Sequence, residues 1–410
     1  MKTFHVKEAA SSNLQNKINT SLVFNYLREH GPLYRAQIAK GLKLSAPAVS
    51  RAVLNLVYES YVVENIDSSG DAGKRGVRFS VNSDRGFVLG IDLLKEPICV
   101  AVSDFSCQLI RKYDCFKMKE TTDVEGALTA HLERIIRAQR RPNDLKAISI
   151  GAPAVIDSTG AVSSAVLYEG LEGKNLKIPL ERSFNVPVYV ENDANLSALA
   201  EHQFGAGRGF QSIIFFQVSD GVSAGIIIDH ALYRGQHGAA GEIGFTVLNE
   251  EHLLERHGRK GPLENSVSIE AIRARAIDMM KDQPSSPLLE LAGGQAENIT
   301  AEFVCLCALN GDPVCSKIIQ DVTVRLGIAI ANAALLMDPQ RIVLGGAVCR
   351  LPGVERLFEA PILDIMKRLL PFSSPDFTIS SLHDDAVVIG ASYMAVESLL
   401  VGAYPYRITA

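Results

Sequence analysis

The sequence predicts an α/β protein, with a small N-terminal winged helix-turn-helix module followed by a larger two-lobed body of alternating strands and helices. Three observations lead there: a basic, helix-patterned beginning, an abrupt change of texture at Gly86, and a strand-turn-strand pattern that occurs twice beyond it. At 410 residues the chain has room for two or three domains of the usual ~100–200 residues. A hydrophobic content of 47% with 21% charged residues excludes the disordered and collagen-like classes. The sequence shows no uninterrupted apolar stretch approaching the roughly 18 residues of a membrane span. The opening MKTFHVKEAASSNLQNK is polar and lacks a signal-peptide core, so the expected location is cytoplasmic, with no membrane partner. Seven cysteines, scattered through apolar segments, fit a reducing compartment. Cys305 and Cys307 form a C-x-C within FVCLCALNG but have no second ligand pair nearby, so buried thiols are expected there rather than a metal site.

Charge divides the chain. Residues 1–82 carry 11 Lys plus Arg against 6 Asp plus Glu, a net +5, while the whole chain stands at −5, which leaves −10 for the rest. A basic module joined to an acidic one points to a polyanion partner for the first part only. The pattern of that part is specific. In TSLVFNYLREHG the apolar Leu22, Val23, Tyr26 and Leu27 repeat at helical spacing and stop at Gly31-Pro32. A short helix follows around Arg35 to Lys40, then a turn at Gly41 to Leu44. A second helix starts at Ser45, with Pro47 in its first turn, where a missing N–H costs little. Two helices joined by a short Gly-containing turn make a helix-turn-helix.

On that second helix Val49, Val53 and Leu56 share the inward face. Ala46, Pro47, Ser50, Arg51 and Asn55 face out, suited to a major groove, where Arg51 can meet guanine or phosphate and Asn55 adenine. Next, YVVENIDSSGDAGKRGVRFSVN reads as strand, Gly-rich turn, strand, a wing with Lys74, Arg75 and Arg78 near its tip for phosphate or minor-groove contact. Arg35, at the start of the first of the two helices, joins the candidate DNA contacts. Double-stranded DNA is therefore the expected partner of this module.

From Gly86 the segments GFVLGIDLL, PICVAVSDF and QLIRKYDCF are successive strands, and Val124 to Arg140 is an amphipathic helix. LKAISIGAPAVID is a strand ending in a Gly-Pro loop, and VPVYVENDANLSALAEHQFG a strand running into a helix. The strand-rich opening recurs at SIIFFQVSDGVSAGIIIDHALY, which implies two similar α/β halves with a cleft between them. The polar stretch from Asp282 to Pro287 reads as a surface turn.

Taken in order, GIDLL, VENDANLSALAEHQFGAG, VSDGVSAGIII, GAAGEIGF, ERHGRKGPLENSVS, ALLMDPQRIVLGGAV and VVIGASYMAVESLL resemble the ROK family of bacterial sugar kinases and sugar-responsive repressors. GPLYRAQIAKGLKLSAPAVSRAVLNLV resembles the repressor branch, and together these motifs cover nearly the whole chain. The resemblance implies an actin-like, ribonuclease-H-like two-lobed sugar-kinase fold behind the winged helix. The expected boundaries are 1–83 for the DNA-binding module, 84–195 for the first lobe, completed by a C-terminal helix over 386–402, and 196–385 for the second lobe.

Asp193 matches the family's catalytic base and sugar contact, but the phosphate loops depart from the kinase pattern. Asp92-Leu93-Leu94-Lys95-Glu96 puts side chains where backbone must approach phosphate, and Ser219-Asp220-Gly221 adds a carboxylate. Two carboxylates beside a triphosphate would cost several kcal/mol by Coulomb reasoning. Gly345-Gly346, on the adenosine side, is retained. The expectation is a vestigial base, no kinase activity and no ATP as cofactor. Asn192, Asp193, Glu242 and Glu264 match the family's sugar contacts, with Gly151-Ala152-Pro153 lining the cleft, and polyol recognition by carboxylates and amides gives selectivity. The family's zinc positions fall on Phe245, Glu255, His257 and Pro262, of which two have no donor atom, so no zinc is expected. Phe245 then forms an apolar wall of the sugar site, and the loop of Gly258 and Gly261 is expected to depend on packing around Phe245 and Pro262. The resemblance thus implies a regulator, acting as a repressor, with operator DNA and a sugar or polyol effector as partners, working as a homodimer or tetramer. A ROK-type kinase carrying a DNA-binding module is the alternative.

Overall fold

Helix α1 (Ser12–His30) ends where Gly31, at φ +76°, turns the chain ahead of Pro32. Residues 12–67, 76–250, 258–281 and 286–401 are described by the structure, a computed structural model. Helix α2 (Arg35–Leu42) stops at Lys43, whose φ of 54° closes a left-handed cap. Helix α3 (Ala46–Tyr58) begins with the Ser45 hydroxyl accepting the Ala48 N–H at 3.4 Å and with Pro47 in the first turn, as its sequence requires. Val49, Val53 and Leu56 are fully buried, and Ala52 joins them. Strands β1 (Val62–Asp67) and β2 (Gly76–Val81) pair antiparallel from Val62↔Val81 to Asp67↔Gly76 and form the wing. Lys74 and Arg75, expected at its tip, lie outside the described residues, as do residues 282–285 of the expected surface turn.

Beyond the wing come β3 (Phe87–Asp92), β4 (Cys99–Asp104), β5 (Leu109–Asp114), α4 (Val124–Arg137), β6 (Leu145–Ala152), the short hairpin β7 (Val155–Ile156) and β8 (Val162–Ser164), α5 (Lys177–Phe184), β9 (Val188–Asn192) and α6 (Asp193–Phe204). Then follow β10 (Ile213–Val218), β11 (Val222–Ile228), β12 (Ala231–Tyr233), the short helix α7 (Glu264–Val267), β13 (Arg341–Gly345) and β14 (Asp376–Ile379). One five-stranded sheet runs β5-β4-β3-β6-β9 and the other β12-β11-β10-β13-β14. Each opens with an antiparallel meander whose first strand lies at the middle of the sheet, followed by strands added on its other side, so the two halves share one topology. The repeated strand-turn-strand pattern of the sequence is the trace of this duplication.

The chain divides into two compact units, Met1–Ile150 with Leu176–Tyr189 and Ala391–Ala410, and Gly151–Asn175 with Val190–Gly390. This differs from the boundaries expected above in two ways. The winged helix does not separate from the first lobe, because aromatic rings and hydrogen bonds join them. Phe24 meets Tyr61 edge-on at 6.4 Å, Tyr61 lies 5.3 Å from Phe105, and the buried Glu397 carboxylate accepts from Ser21 Oγ and from Asn25 Nδ2. The segment 151–175 and all of α6 belong to the second unit, since α6 packs on β10 and β11. Gly225 on β11 permits that approach: a side-chain carbon there would sit 2.4 Å from the Ala194 carbonyl oxygen.

The helix Pro313–Met337 is, by length and composition, apolar enough to cross a membrane, which the sequence reading did not anticipate. Ile318, Ile319, Val322, Leu326 and Ile330 on it lie in the hydrophobic core of the second unit, so it is explained as a core helix. Cys305 and Cys307 are buried on the helix Ala301–Leu309, where burial pushes the Cys305 thiol up to about 12, as inert thiols behave.

Candidate effector pocket and nucleic-acid interface

The candidate effector-site residues gather where β9 turns into α6 and where β10 turns into β11. Asn192 caps α6: its Oδ1 accepts the Asn195 N–H at 3.1 Å while its Nδ2 donates to the Ala154 carbonyl at 3.2 Å. This ties down the loop that follows Gly151, Ala152 and Pro153, in which Gly151 and Ala152 are buried and Pro153 half-buried. Asn192 was expected to touch the ligand; both ends of its amide are already engaged in shaping the site. Asp193 follows as the first residue of α6, 3% exposed, its Oδ2 accepting from Gln217 Nε2 on β10. Gln217 is itself 3.2 Å from Ser197 Oγ, one turn further along α6.

Glu264 opens α7 and reaches the turn of the same hairpin, where Gln217 pairs with Ser223 and Val218 with Val222. Its Oε2 accepts the Val222 N–H at 3.1 Å, while its Oε1 is buried and has no hydrogen-bond partner among the described residues. Burial raises its pKa, against the opposing Val222 N–H and Lys260. Glu242, half-buried, is pushed up to about 7 by burial and then by the Glu264 carboxylate. A side-chain carbon at Gly244 would sit 2.6 Å from the Val222 carbonyl, and one at Gly241 1.8 Å from the Ala224 carbonyl, so the Glu242 segment lies directly against β11. The structure thus groups Asn192, Asp193 and the 151–153 loop at one place and Glu242 with Glu264 at another, and the β10–β11 hairpin links the two. What the arrangement offers is a set of carboxylate acceptors, one with a buried lone pair to fill, and a carboxyl that is part-protonated near neutral pH. That is chemistry for neighbouring hydroxyl groups.

Sequence reasoning missed the support beneath this site. Glu191, 6% exposed, accepts from the Asn192 N–H, from Asn195 Nδ2 and from Arg234, whose Nε and Nη2 each lie 2.6 Å away. The only hint was its position in VENDAN, adjacent to the expected contacts; nothing in the spacing of Arg234 announced a partner 43 residues earlier.

Phe245 does not hold the zinc-like loop as expected, being 48% exposed. The loop is instead pinned by backbone. Gly261 lies so close to Gly244 and Phe245 that a side-chain carbon would meet the Gly244 carbonyl oxygen at 2.1 Å, and Pro262 beside it is buried. Glu255 and His257 lie outside the described residues. Phe245 and Pro262 provide no metal donor, so a four-ligand zinc set does not fit this loop, and among the described residues no three His, Cys, Asp or Glu cluster as a metal site.

In the first phosphate loop Asp92 closes the turn on itself, accepting the Leu94 and Lys95 N–H groups at 2.9 and 3.3 Å. In the second, Ser219 Oγ takes the Ala347 N–H at 3.0 Å, directly after Gly345-Gly346. Asp220 and Glu96 are exposed.

On the first unit, Ala46, Pro47, Arg51 and Asn55 of α3 are exposed and Ser50 half-buried, so these candidate DNA contacts share one surface. Arg78 on the wing is exposed, with its guanidinium 5.0 Å from the Tyr34 ring centroid. Arg35 is differently placed, its guanidinium lying 4.4 Å from the ring centroid of the buried Phe79 with Nε buried, which spends much of it on packing.

Two sheets of one topology, the buried Asp193 carboxylate at the head of α6, and a winged helix-turn-helix module define an actin-like two-lobed sugar-kinase fold equipped with a DNA-reading head. The ROK family pattern matches residues 88–398, and the chain belongs to the ROK family. It is 29% identical over 395 residues to the xylose repressor of Caldicellulosiruptor bescii, covering 94% of this chain and 97% of that protein. A glucokinase of Halalkalibacterium halodurans is 31% identical over 328 residues, covering 96% of that enzyme but 77% of this chain. Among solved structures, a ROK family transcriptional regulator described as a homologue of the E. coli Mlc protein has the same fold, with a TM-score of 0.79 at 22% identity over 95% of this chain and 97% of that one.

Proposed function

We propose that this chain is a sugar-responsive transcriptional repressor, which binds operator DNA through α3 and the wing and takes a sugar or polyol effector at Asp193, Glu242 and Glu264 without phosphorylating it. The observation that carries the effector site is the Glu264 carboxylate, buried with one oxygen satisfied and the other without a partner among the described residues. A buried acceptor of this kind costs roughly 1–3 kcal/mol until something donates to it. A ligand hydroxyl is the donor that fits, and Asp193 and Glu242 provide further acceptors for its neighbours. The full-length match to a repressor supports the DNA-binding half. A homodimer is the expected form, since two half-sites multiply the modest affinity of one recognition helix. Effector binding changes operator affinity to the extent that the two conformations differ in affinity for the sugar.

The kinase alternative draws on Asp193, which is buried at the family's base position, and on the glucokinase relative. Against it stand the phosphate loops: Ser219 occupies a backbone donor beside Gly346, and Asp220 adds an exposed carboxylate where a triphosphate requires donors. A thermal-shift screen of sugars, polyols and sugar phosphates with the full-length protein, paired with ADP-release assays on every hit, tests the reading. Stabilisation by a sugar without ADP release supports it; sugar-dependent ADP release replaces it with the kinase.

A further inference from the structure

The exposed face of α3 has an apolar centre that the sequence reading passed over. Leu54 is 58% exposed and Tyr58 86% exposed, while Val49, Val53 and Leu56 on the same helix are fully buried. At ~100° per residue, the buried Val49, Ala52, Val53 and Leu56 span an arc of about 100°, and Pro47, Arg51, Leu54 and Tyr58 fall within about 30° of the direction opposite its middle. Ser50 and Asn55 lie on the two flanks of that stripe. Leu54 therefore stands one turn beyond Ser50 and between the positions best placed to enter a groove. A single exposed leucine is ordinary on a protein surface. Here it sits in a continuous stripe with Pro47 and Tyr58, in which Arg51 is the only charge.

We infer that Leu54 is a specificity-determining residue that reads thymine by packing on its 5-methyl group. This rests on the operator-binding reading above. The chemistry follows from what the major groove presents: donors and acceptors from every base, and one apolar group, the thymine methyl. A leucine in that position gains nothing from phosphates and cannot hydrogen-bond a base edge, so the thymine methyl is its one favourable partner. Arg51 and Asn55, both on one flank of Leu54, supply hydrogen bonds to neighbouring bases, which fixes the register in which the methyl is met.

The test begins by selecting binding sites for the full-length protein from random duplexes. The selected duplex is then remade with deoxyuridine in place of each thymine in turn, which removes only the methyl group. The expected result is a loss of about fourfold for one thymine per half-site, the effect of one methyl group. Leu54→Ala, which removes the contact from both half-sites of the expected dimer, should lose about 16-fold on the thymine duplex and nothing further on a duplex with deoxyuridine at both equivalent positions, while Leu54→Met restores the sensitivity. Because Leu54 is exposed, the variant should melt as the native protein does. If no deoxyuridine substitution weakens binding, or if Leu54→Ala keeps the full thymine preference, Leu54 does not read thymine although the protein binds DNA. If Leu54→Ala instead changes only self-association, the stripe is a protein contact and the assignment is overturned. If no duplex is enriched, the operator-binding reading itself fails and takes this assignment with it.

Discussion

Replacing Arg234 by alanine should damage the pocket without touching any residue expected to contact the ligand. Arg234 holds Glu191 through two nitrogens at 2.6 Å, and its side chain is 18% exposed while that of Glu191 is 8% exposed. Removing one member of a buried ion pair typically costs about 3–5 kcal/mol, because the other charge is left uncompensated. Glu191 keeps two hydrogen bonds, from the Asn192 N–H and Asn195 Nδ2, and Arg234 retains some solvent contact, so roughly 2–3 kcal/mol is the better figure. For a folding unit of this size that corresponds to a fall in Tm of roughly 4–12 °C at about 2–4 °C per kcal/mol. Glu191→Gln in the Arg234→Ala background removes the stranded charge but keeps the shape, and should recover part of the loss. Thermal unfolding of the three proteins at neutral pH reads both effects. An Arg234→Ala protein that melts like the native one, or a double variant no better than the single, would refute the view that this pair braces the start of α6.

The other expectations follow from the same geometry. Asp193→Asn and Glu264→Gln should fold, yet each should weaken effector binding about 10–100-fold, the range for losing a hydrogen bond to a charged group; unchanged thermal shifts would remove these residues from the site. The Glu242 carboxyl sits near 7 when folded against 4.5 as a free group, so the folded state binds the extra proton and stability from this residue falls as pH rises from about 4.5 to 7. His202 behaves oppositely. Burial and then the neighbouring His230 hold it down to about 4, so its contribution falls as pH drops from 6.5 toward 4. Melting curves of Glu242→Gln and the native protein between pH 4.5 and 7 should show the native protein losing stability relative to the variant as pH rises, and identical slopes would contradict the assignment. Metal analysis of the purified protein should find no stoichiometric zinc, because Phe245 and Pro262 cannot ligate it, and one zinc per chain would overturn that.

How much of this was legible in the sequence follows from the range of the interactions. The helix-turn-helix could be read because its signals are local: Ser45 and Pro47 start α3, Gly31 and Pro32 end α1, and the 3–4 spacing of Val49, Val53 and Leu56 sets its inner face. The duplicated sheet was legible as a repeated strand pattern. Leu54 and Tyr58 were passed over because an apolar residue is assumed to face inward, and only the packing of α3 shows that these two do not. The Glu191–Arg234 pair was hidden because it joins residues 43 apart through tertiary structure, and neither residue type is unusual at its position. The tie between the winged helix and the C-terminal helix was hidden for a similar reason: the Ser21, Asn25 and Tyr61 contacts join opposite ends of the chain. Phe245 was expected to be an anchor because it replaces a ligand, but the close approach of the Gly244 and Gly261 backbones holds the loop and leaves the ring half exposed.

Coupling of a polyol site to operator binding within one chain is read from the operator affinity of the full-length protein, at fixed salt, with and without the sugar that gives the largest thermal shift. Binding should be salt-sensitive, with an affinity that changes by roughly 5–150-fold on saturation with that sugar. A sugar that binds and stabilises the protein yet leaves operator affinity unchanged would contradict it.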